Sequence, residues 1–320
     1  MKKVVSLILA LTLCIGSCIA LSSCGGDDKY QIGIVQLVEH PALDAATEGF
    51  KQAIIDELGA ENVVFDYQNA QNDANTCSTI VNQFVATGVD LIMANATPSL
   101  QAAAAATDTI PILGTSITEY GVALDIDNFS GTVGGNISGT SDLAPLDLQA
   151  KMITDWVPNA TKVGLLYCSS EANSAYQVKV VKSELEKKGI SVTEYPFTDS
   201  NDLAAVCQSA AQNCDAIYVP TDNTVADNTS VIDGIFEPAG IPVIAGEEGI
   251  CSGCGIATLS ISYYDLGYAT GLMAVKILRD GENISNMPIE YAATQTPKYN
   301  AQNCNALGIT PLEGYVAIEE

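Results

Sequence analysis

The chain has a single histidine, His40, a single tryptophan, Trp156, and only 13 lysines and arginines against 38 acidic residues. One histidine leaves no His-rich metal cluster and no Ser-His or Cys-His machinery with partners to spare. Neither G-x-x-x-x-G-K-[ST] nor G-x-S-x-G occurs, so phosphate-loop and nucleophile-elbow chemistry are not expected. Carboxylate pairs such as Glu247-Glu248 are adjacent, and neighbours on an ordered backbone diverge. No enzyme, metal site or cofactor is therefore expected. The formal charge of −25 repels nucleic acid and anionic lipid surfaces. Beyond the N-terminus no apolar run approaches the ~20 residues needed to span a bilayer.

What is present begins with a leader. Met1-Lys2-Lys3 is basic and Val4 to Leu21 is almost wholly apolar, the layout of a secretory signal. "LSSCGGDD" (21–28) fits the lipobox pattern of bacterial lipoproteins, with small residues before a cysteine that is acylated and becomes the mature N-terminus. The expected division is a signal peptide over 1–23, then lipidated Cys24 with a linker to residue 29. Ile15-Gly16-Ser17-Cys18 is a poorer match, and an ordinary cleaved signal or an uncleaved anchor is the alternative. Diacylglyceryl anchoring needs no transmembrane helix and places the protein on the extracytoplasmic face of a bacterial cell membrane. Loss of the leader with Lys2 and Lys3 leaves 11 basic residues and a charge of −27. The remaining length suffices for two domains. Seven cysteines follow Cys24. Cys251-Ser-Gly-Cys254 has C-x-x-C spacing, yet it lacks a second pair or histidines for zinc and lies in a Gly-rich stretch. It reads as a local loop disulfide or two unpaired thiols.

Strand and helix signals alternate throughout. "QIGIVQL" (31–37), a helix from Pro41 to Leu58, "NVVFDY" (62–67), a helix capped by Asn72-Asp73, "DLIMANA" (90–96), a helix from Pro98 and "PILGTS" (111–116) form one series. "KVGLLYC" (162–168), a helix to Lys188, "SVTEYPF" (191–197), a helix capped by Asn201-Asp202, "DAIYVPTD" (215–222), a helix to Glu237 and "PVIAG" (242–246) repeat it. Gly33 maps to Gly164 at an offset of 131, Asp90 to Asp215 at 125 and Pro111 to Pro242 at 131. The alternative, one long doubly wound sheet of some ten strands, is uncommon. The fold class is α/β, with two flavodoxin-like (Rossmann-like) parallel-sheet lobes. A helix from Tyr263 to Arg279 belongs to neither copy and is expected on the first lobe, which makes the hinge multi-stranded. The expected lobes are 30–141 with 259–288, and 142–258 with 289–320.

Ligands of such sheets bind beyond the strand carboxyl ends, which is where the candidate residues lie. Thr97-Pro98-Ser99 opens a helix, where Thr97 can cap and Ser99 can add a hydroxyl for a ligand carboxylate; plain capping is the alternative. In the second copy Asp222 and Asn223 occupy the equivalent turn, and Asp222 either caps its helix or pairs with an ammonium. Asp142 is a second candidate partner for an amine, or a cap before Pro145. Ser169 and Ser170 end a strand, with His40 near the twin turn. His40 either contacts ligand or sits in a solvated loop. Thr115 and Ser116 end another strand, and Glu247 its counterpart. Tyr263 or Tyr264 can stack on an aromatic guest. Trp156, in a helix over 145–157, stands away from the cleft edge, which disfavours sugar.

"IGIVQLVEHPALDAATEGFKQAI", "NISGTSDLAP", "YCSSEANS", "YVPTDNTVA", "EEGI" and "YYDLGYATG" resemble segments of the ABC-transporter substrate-binding lipoproteins that include tryptophan- and phenylalanine-binding members. The resemblance runs from about Tyr30 beyond Arg279. It implies a type I periplasmic-binding architecture that closes on one small solute, an amino acid and an aromatic one in particular, and delivers it to an ABC permease with its ATPase. A monomer is expected. A nucleoside or sugar ligand, or a receptor serving a membrane kinase or chemoreceptor, are the alternatives. The family commonly carries aspartate before the Tyr-Tyr pair, where this chain has Ser262; if that aspartate meets a ligand ammonium, the amine site here is weakened or moved.

Overall fold

The computed structural model describes residues 29–319; the leader and Cys24 lie outside the described residues. The first series runs β1 (Tyr30–Gln36), α1 (Pro41–Leu58), β2 (Val63–Asn69), α2 (Ala74–Thr87), β3 (Leu91–Asn95), α3 (Thr97–Ala106), β4 (Ile112–Ile117), α4 (Tyr120–Ala123) and β5 (Ile137–Ser141). The second runs α5 (Leu146–Trp156), β6 (Lys162–Cys168), α6 (Ala172–Lys187), β7 (Ser191–Phe197), α7 (Ser200–Ala211), β8 (Ala216–Val219), α8 (Asn223–Ala226), α9 (Thr229–Phe236), β9 (Val243–Ala245), α10 (Glu248–Cys254) and β10 (Ala257–Ser260). There follow α11 (Tyr263–Leu278), β11 (Glu290–Tyr291), β12 (Thr296–Tyr299), α12 (Ala301–Ala306) and β13 (Val316–Ala317).

Two sheets result, ordered β11-β5-β4-β3-β1-β2 and β13-β12-β10-β9-β8-β6-β7. The cores, β2-β1-β3-β4-β5 and β7-β6-β8-β9-β10, are the same parallel arrangement written twice, and helices on both faces explain why β3, β4 and β8 are buried along their whole length. The duplication reaches single atoms. Asp90 accepts from the backbone N–H of Gln31 at 2.7 Å, and Asp215 from those of Thr161 and Lys162 at 2.8 and 2.9 Å, each carboxylate pinning the start of its lobe's first strand. The Pro111 and Pro242 carbonyls accept from Ile92 and Ile217. A Cβ at Gly33 would lie 2.6 Å from the Phe84 ring, and one at Gly164 2.7 Å from Ile217.

Helix α11 packs along α1 of the first lobe. Gly49, Gly267 and Gly271 allow the approach: a Cβ on Gly267 would stand 1.9 Å from the Ala46 carbonyl oxygen. The chain therefore crosses between lobes three times, after β5, after β10 and after β11. The expected boundaries shift slightly. Leu259 and Ser260 pair in the second sheet, opposite Pro297 and Thr296, whereas Glu290 and Tyr291 pair with Thr140 and Ser141 in the first.

Three local expectations are corrected. Asp199, rather than Asn201-Asp202, caps α7, accepting from the Asn201 N–H at 2.8 Å. The helix expected through Glu237 breaks into α8 and α9 because the Asn228 side-chain amide takes the Thr224 carbonyl at 2.8 Å, so the chain turns there. Cys251 and Cys254 lie on α10, not in a loop, and both are buried free thiols.

Candidate functional site

The carboxyl ends of the strands of both lobes face each other, as the doubly wound topology requires. His40 follows β1, Ser116 sits in β4 and Thr118 just after it, and Asp142 follows β5 at the first crossing. From the other side come Asn173 in the first turn of α6, Thr221 to Asn223 after β8, and Glu247 after β9. Tyr263 opens α11 at the second crossing. With Leu43 and Ala226 these residues line one interlobe cavity. Its volume is about 10 Å³, roughly the space of a single water, so a guest of amino-acid size enters only if the lobes part or side chains swing aside.

Of the twelve candidates, the cavity gathers His40, Ser116, Asp142, Asp222, Asn223, Glu247 and Tyr263. Thr97, Ser99, Thr115, Ser169 and Ser170 lie outside its lining. Thr97 is the buried first residue of α3 and does not cap it; the cap position is Ala96, at φ 85°. The Ser99 hydroxyl faces Cys77 Sγ at 3.6 Å. Thr115 is buried against Thr140, hydroxyl to hydroxyl at 3.2 Å. Ser169 and Ser170 are exposed and donate to the Phe197 and Thr198 carbonyls. The carboxylate-binding role expected of the Thr97-Ser99 turn therefore finds no support in the geometry. Ser262 is the exposed cap of α11, accepting from the Asp265 N–H at 3.1 Å. Serine there serves the helix end and is not part of this cavity's lining.

Four acids are buried at the cleft, and they do different work. Asp222 caps α8, accepting from Val225 N–H at 2.9 Å and from Cys168 N–H at 2.7 Å. Burial, then the nearby Glu171, pushes its carboxyl up to about 8. Glu247 caps α10 through the Gly249 and Ile250 N–H groups, and burial raises it to about 7. Glu171 accepts from the Asn223 and Thr224 N–H groups, from both their side chains and from Asn173. Asp142 differs. Tyr263 donates to one of its oxygens at 2.9 Å, but the other, Oδ1, has no hydrogen-bond partner, and burial raises its affinity for a proton.

Two more buried polar atoms of the lining, Ser116 Oγ and Asn173 Oδ1, also lack partners. Ser116 holds a left-handed backbone, φ 56°, in the bulge where the β4–β5 register slips; such strain persists where the surrounding fold enforces it. The Asn173 amide nitrogen donates to the Thr221 carbonyl at 3.0 Å, which leaves its oxygen free. Sequence reasoning missed Thr118, Asn173 and Thr221 as lining residues. Asn173 lay four residues beyond Ser169, but which side chain of a first helical turn faces the cleft is a tertiary fact.

Two hydrogen bonds join the lobes at the rim. His40 Nε2 meets Asn223 Oδ1 at 3.3 Å, and Asn72 Nδ2 donates to Thr224 Oγ1 at 3.0 Å. Because the Asn223 amide nitrogen is committed to Glu171, its oxygen faces His40, which must donate. Burial lowers the His40 pKa, against weaker opposing effects of Asn223, Asp44, Glu171 and Asp227.

Residues 31–317 match the family described as ABC transporter substrate binding protein. A tyrosine-binding protein of Clostridioides difficile is 36% identical over 305 residues, 90% of this chain and 87% of that protein. Among solved structures, the ABC domain in complex with L-Trp from Streptococcus pneumoniae overlays with a TM-score of 0.85 at 31% identity, covering 91% of this chain and all of that one. The ligand-free, open structure of a substrate-binding protein with adhesive properties from Clostridium difficile is more similar in sequence, at 39%, yet overlays less well, with a TM-score of 0.69 over 91% of this chain and 99% of that one. The lobe arrangement thus follows the L-Trp complex more closely than the open form.

Proposed function

The chain belongs to the family of ABC transporter substrate binding proteins, and on that basis we propose that it captures a free aromatic amino acid between its lobes outside the cytoplasm. The closed complex is handed to a membrane permease and its ATPase. The family binds solutes rather than transforming them. In this reading acylated Cys24 tethers a monomer to the cell membrane, and the lobes move as units about the three crossings. The observation that carries the reading is the set of unpartnered buried atoms around one cavity, Ser116 Oγ, Asp142 Oδ1 and Asn173 Oδ1. Buried polar groups left unpaired cost about 1–3 kcal/mol each, and a guest that supplies partners recovers that cost only when both lobes contact it. Asp142 Oδ1 and Asn173 Oδ1 accept from an ammonium, Ser116 Oγ donates to a carboxylate, and Tyr263 flanks the side chain.

Ligand binding favours closure by the difference in its contacts between the closed and open forms. The test is calorimetry of the exported chain, freed of bound solute by unfolding and refolding, against the twenty amino acids. Tyrosine, tryptophan or phenylalanine should release heat with a micromolar or tighter Kd. Heat from none of the twenty would sink the amino-acid reading.

A further inference from the structure

The ionisable side chains lining the cavity are one-sided. Among the described residues, no lysine or arginine lines it, whereas Asp142, Asp222 and Glu247 all do. His40, the one basic side chain of the lining, has its Nε2 turned to Asn223 Oδ1. The Asp222 and Glu247 oxygens are engaged by backbone N–H groups, so their positions are fixed and they are not free to grip a guest. The unpartnered atoms are equally lopsided, two acceptors to one hydroxyl. An ammonium brings three donors and no acceptor, while a carboxylate brings only acceptors. Of the fully buried unpartnered atoms in the lining, Ser116 Oγ is the hydroxyl that can donate to an entering carboxylate, while Asp142 Oδ1 and Asn173 Oδ1 offer acceptors.

From this arrangement we infer that the cleft recognises its guest chiefly through the ammonium group, so that arylalkylamines lacking a carboxylate are a second ligand class. The inference rests on the amino-acid reading above and extends it. Asp142 Oδ1 and Asn173 Oδ1 form the obligatory subsite; the carboxylate subsite is accessory.

The experiment takes whichever of tyrosine, tryptophan and phenylalanine binds the purified chain most tightly and compares it by calorimetry with its decarboxylated amine and its deaminated acid. For tyrosine these are tyramine and 3-(4-hydroxyphenyl)propanoate. The amine should bind within about tenfold of the parent, and the acid about 100-fold or more weaker, the scale expected when a buried charge loses its partner. An acid that binds as tightly as the amine, or tighter, overturns the inference while the amino-acid reading stands. Failure of all three parent amino acids to bind overturns that reading and the inference with it. Asp142→Asn, isosteric and checked for an unchanged melting temperature, should weaken parent and amine alike by about 100-fold. A folded variant that binds the amine as well as before also overturns the inference.

Discussion

Single side chains at the cleft divide into those that hold the fold and those left over. Glu171 is the clearest of the first kind, since its two oxygens gather the Asn223 and Thr224 backbone and side chains that in turn face the opposite lobe. Glu171→Gln should lower unfolding free energy by about 1–3 kcal/mol, the cost of disrupting buried hydrogen bonds to a charged group, as measured by urea denaturation. Asp222 and Glu247 set a pH dependence. With folded values pushed up to about 8 and about 7 and ordinary carboxyl values near 4 when unfolded, the native state holds more protons than the unfolded state between these limits. Their contribution is full below the unfolded values and is lost as pH rises towards the folded ones, so stability falls from about pH 4 to pH 8, by at most about 1.4 kcal/mol per pH unit per group. Asp222→Asn should flatten that slope. A urea midpoint that does not fall over this range in the parent chain would contradict the assignment. At this scale the sequence revealed a good part of the site. Acids and hydroxyls at strand ends were visible, and Asp142, Asp222 and Glu247 are among the lining. What it did not reveal was direction. Thr97, Pro98 and Ser99 carry every local mark of an anion-binding helix start, yet Thr97 is packed inward and Ser99 faces Cys77, and nothing local to the chain distinguishes these outcomes.

The elements were legible to the extent that burial left an apolar signature. β1, β3, β4, β6 and β8 read as apolar runs because helices cover both faces of a parallel sheet. β5, "ISGTS", does not, although all five of its residues are buried. Its hydroxyls are satisfied inside the lobe, Ser138 by the Met287 carbonyl at 3.0 Å, Thr140 by Thr270 at 2.8 Å and Ser141 by the Thr118 carbonyl at 2.9 Å. A polar strand satisfied by tertiary partners leaves no hydrophobic pattern to read. β11 and β13 are two residues each, too short for any periodicity. The α1–α11 pair shows a different constraint, backbone proximity. Gly267→Ala places its methyl carbon against the Ala46 carbonyl oxygen, so the helices must separate. The expected loss is about 3 kcal/mol of unfolding free energy, at the upper end of overpacking costs, read from urea denaturation, while Gly234→Ala, whose added Cβ meets nothing within 4 Å, should leave the midpoint unchanged or slightly higher.

For the whole molecule, the balance between apart and together is set at the rim. Two hydrogen bonds, His40 to Asn223 and Asn72 to Thr224, join the lobes, and each is worth about 1 kcal/mol net. Asn72→Ala with His40→Ala should therefore shift the closed-to-open ratio by about tenfold to thirtyfold. Small-angle scattering should record a larger radius of gyration, and ligand affinity should fall by up to the same factor with the cavity lining otherwise intact except at His40. An unchanged radius and affinity would show that the rim contacts contribute nothing. The chain's three passages between lobes have a mechanical meaning as well. Three straps side by side let two plates bend towards one another but resist torsion, so the rims return to the same register at each cycle and the same side chains meet. A protease that cut one strap would leave two still fastening the halves, and such a nicked molecule should continue to open and shut.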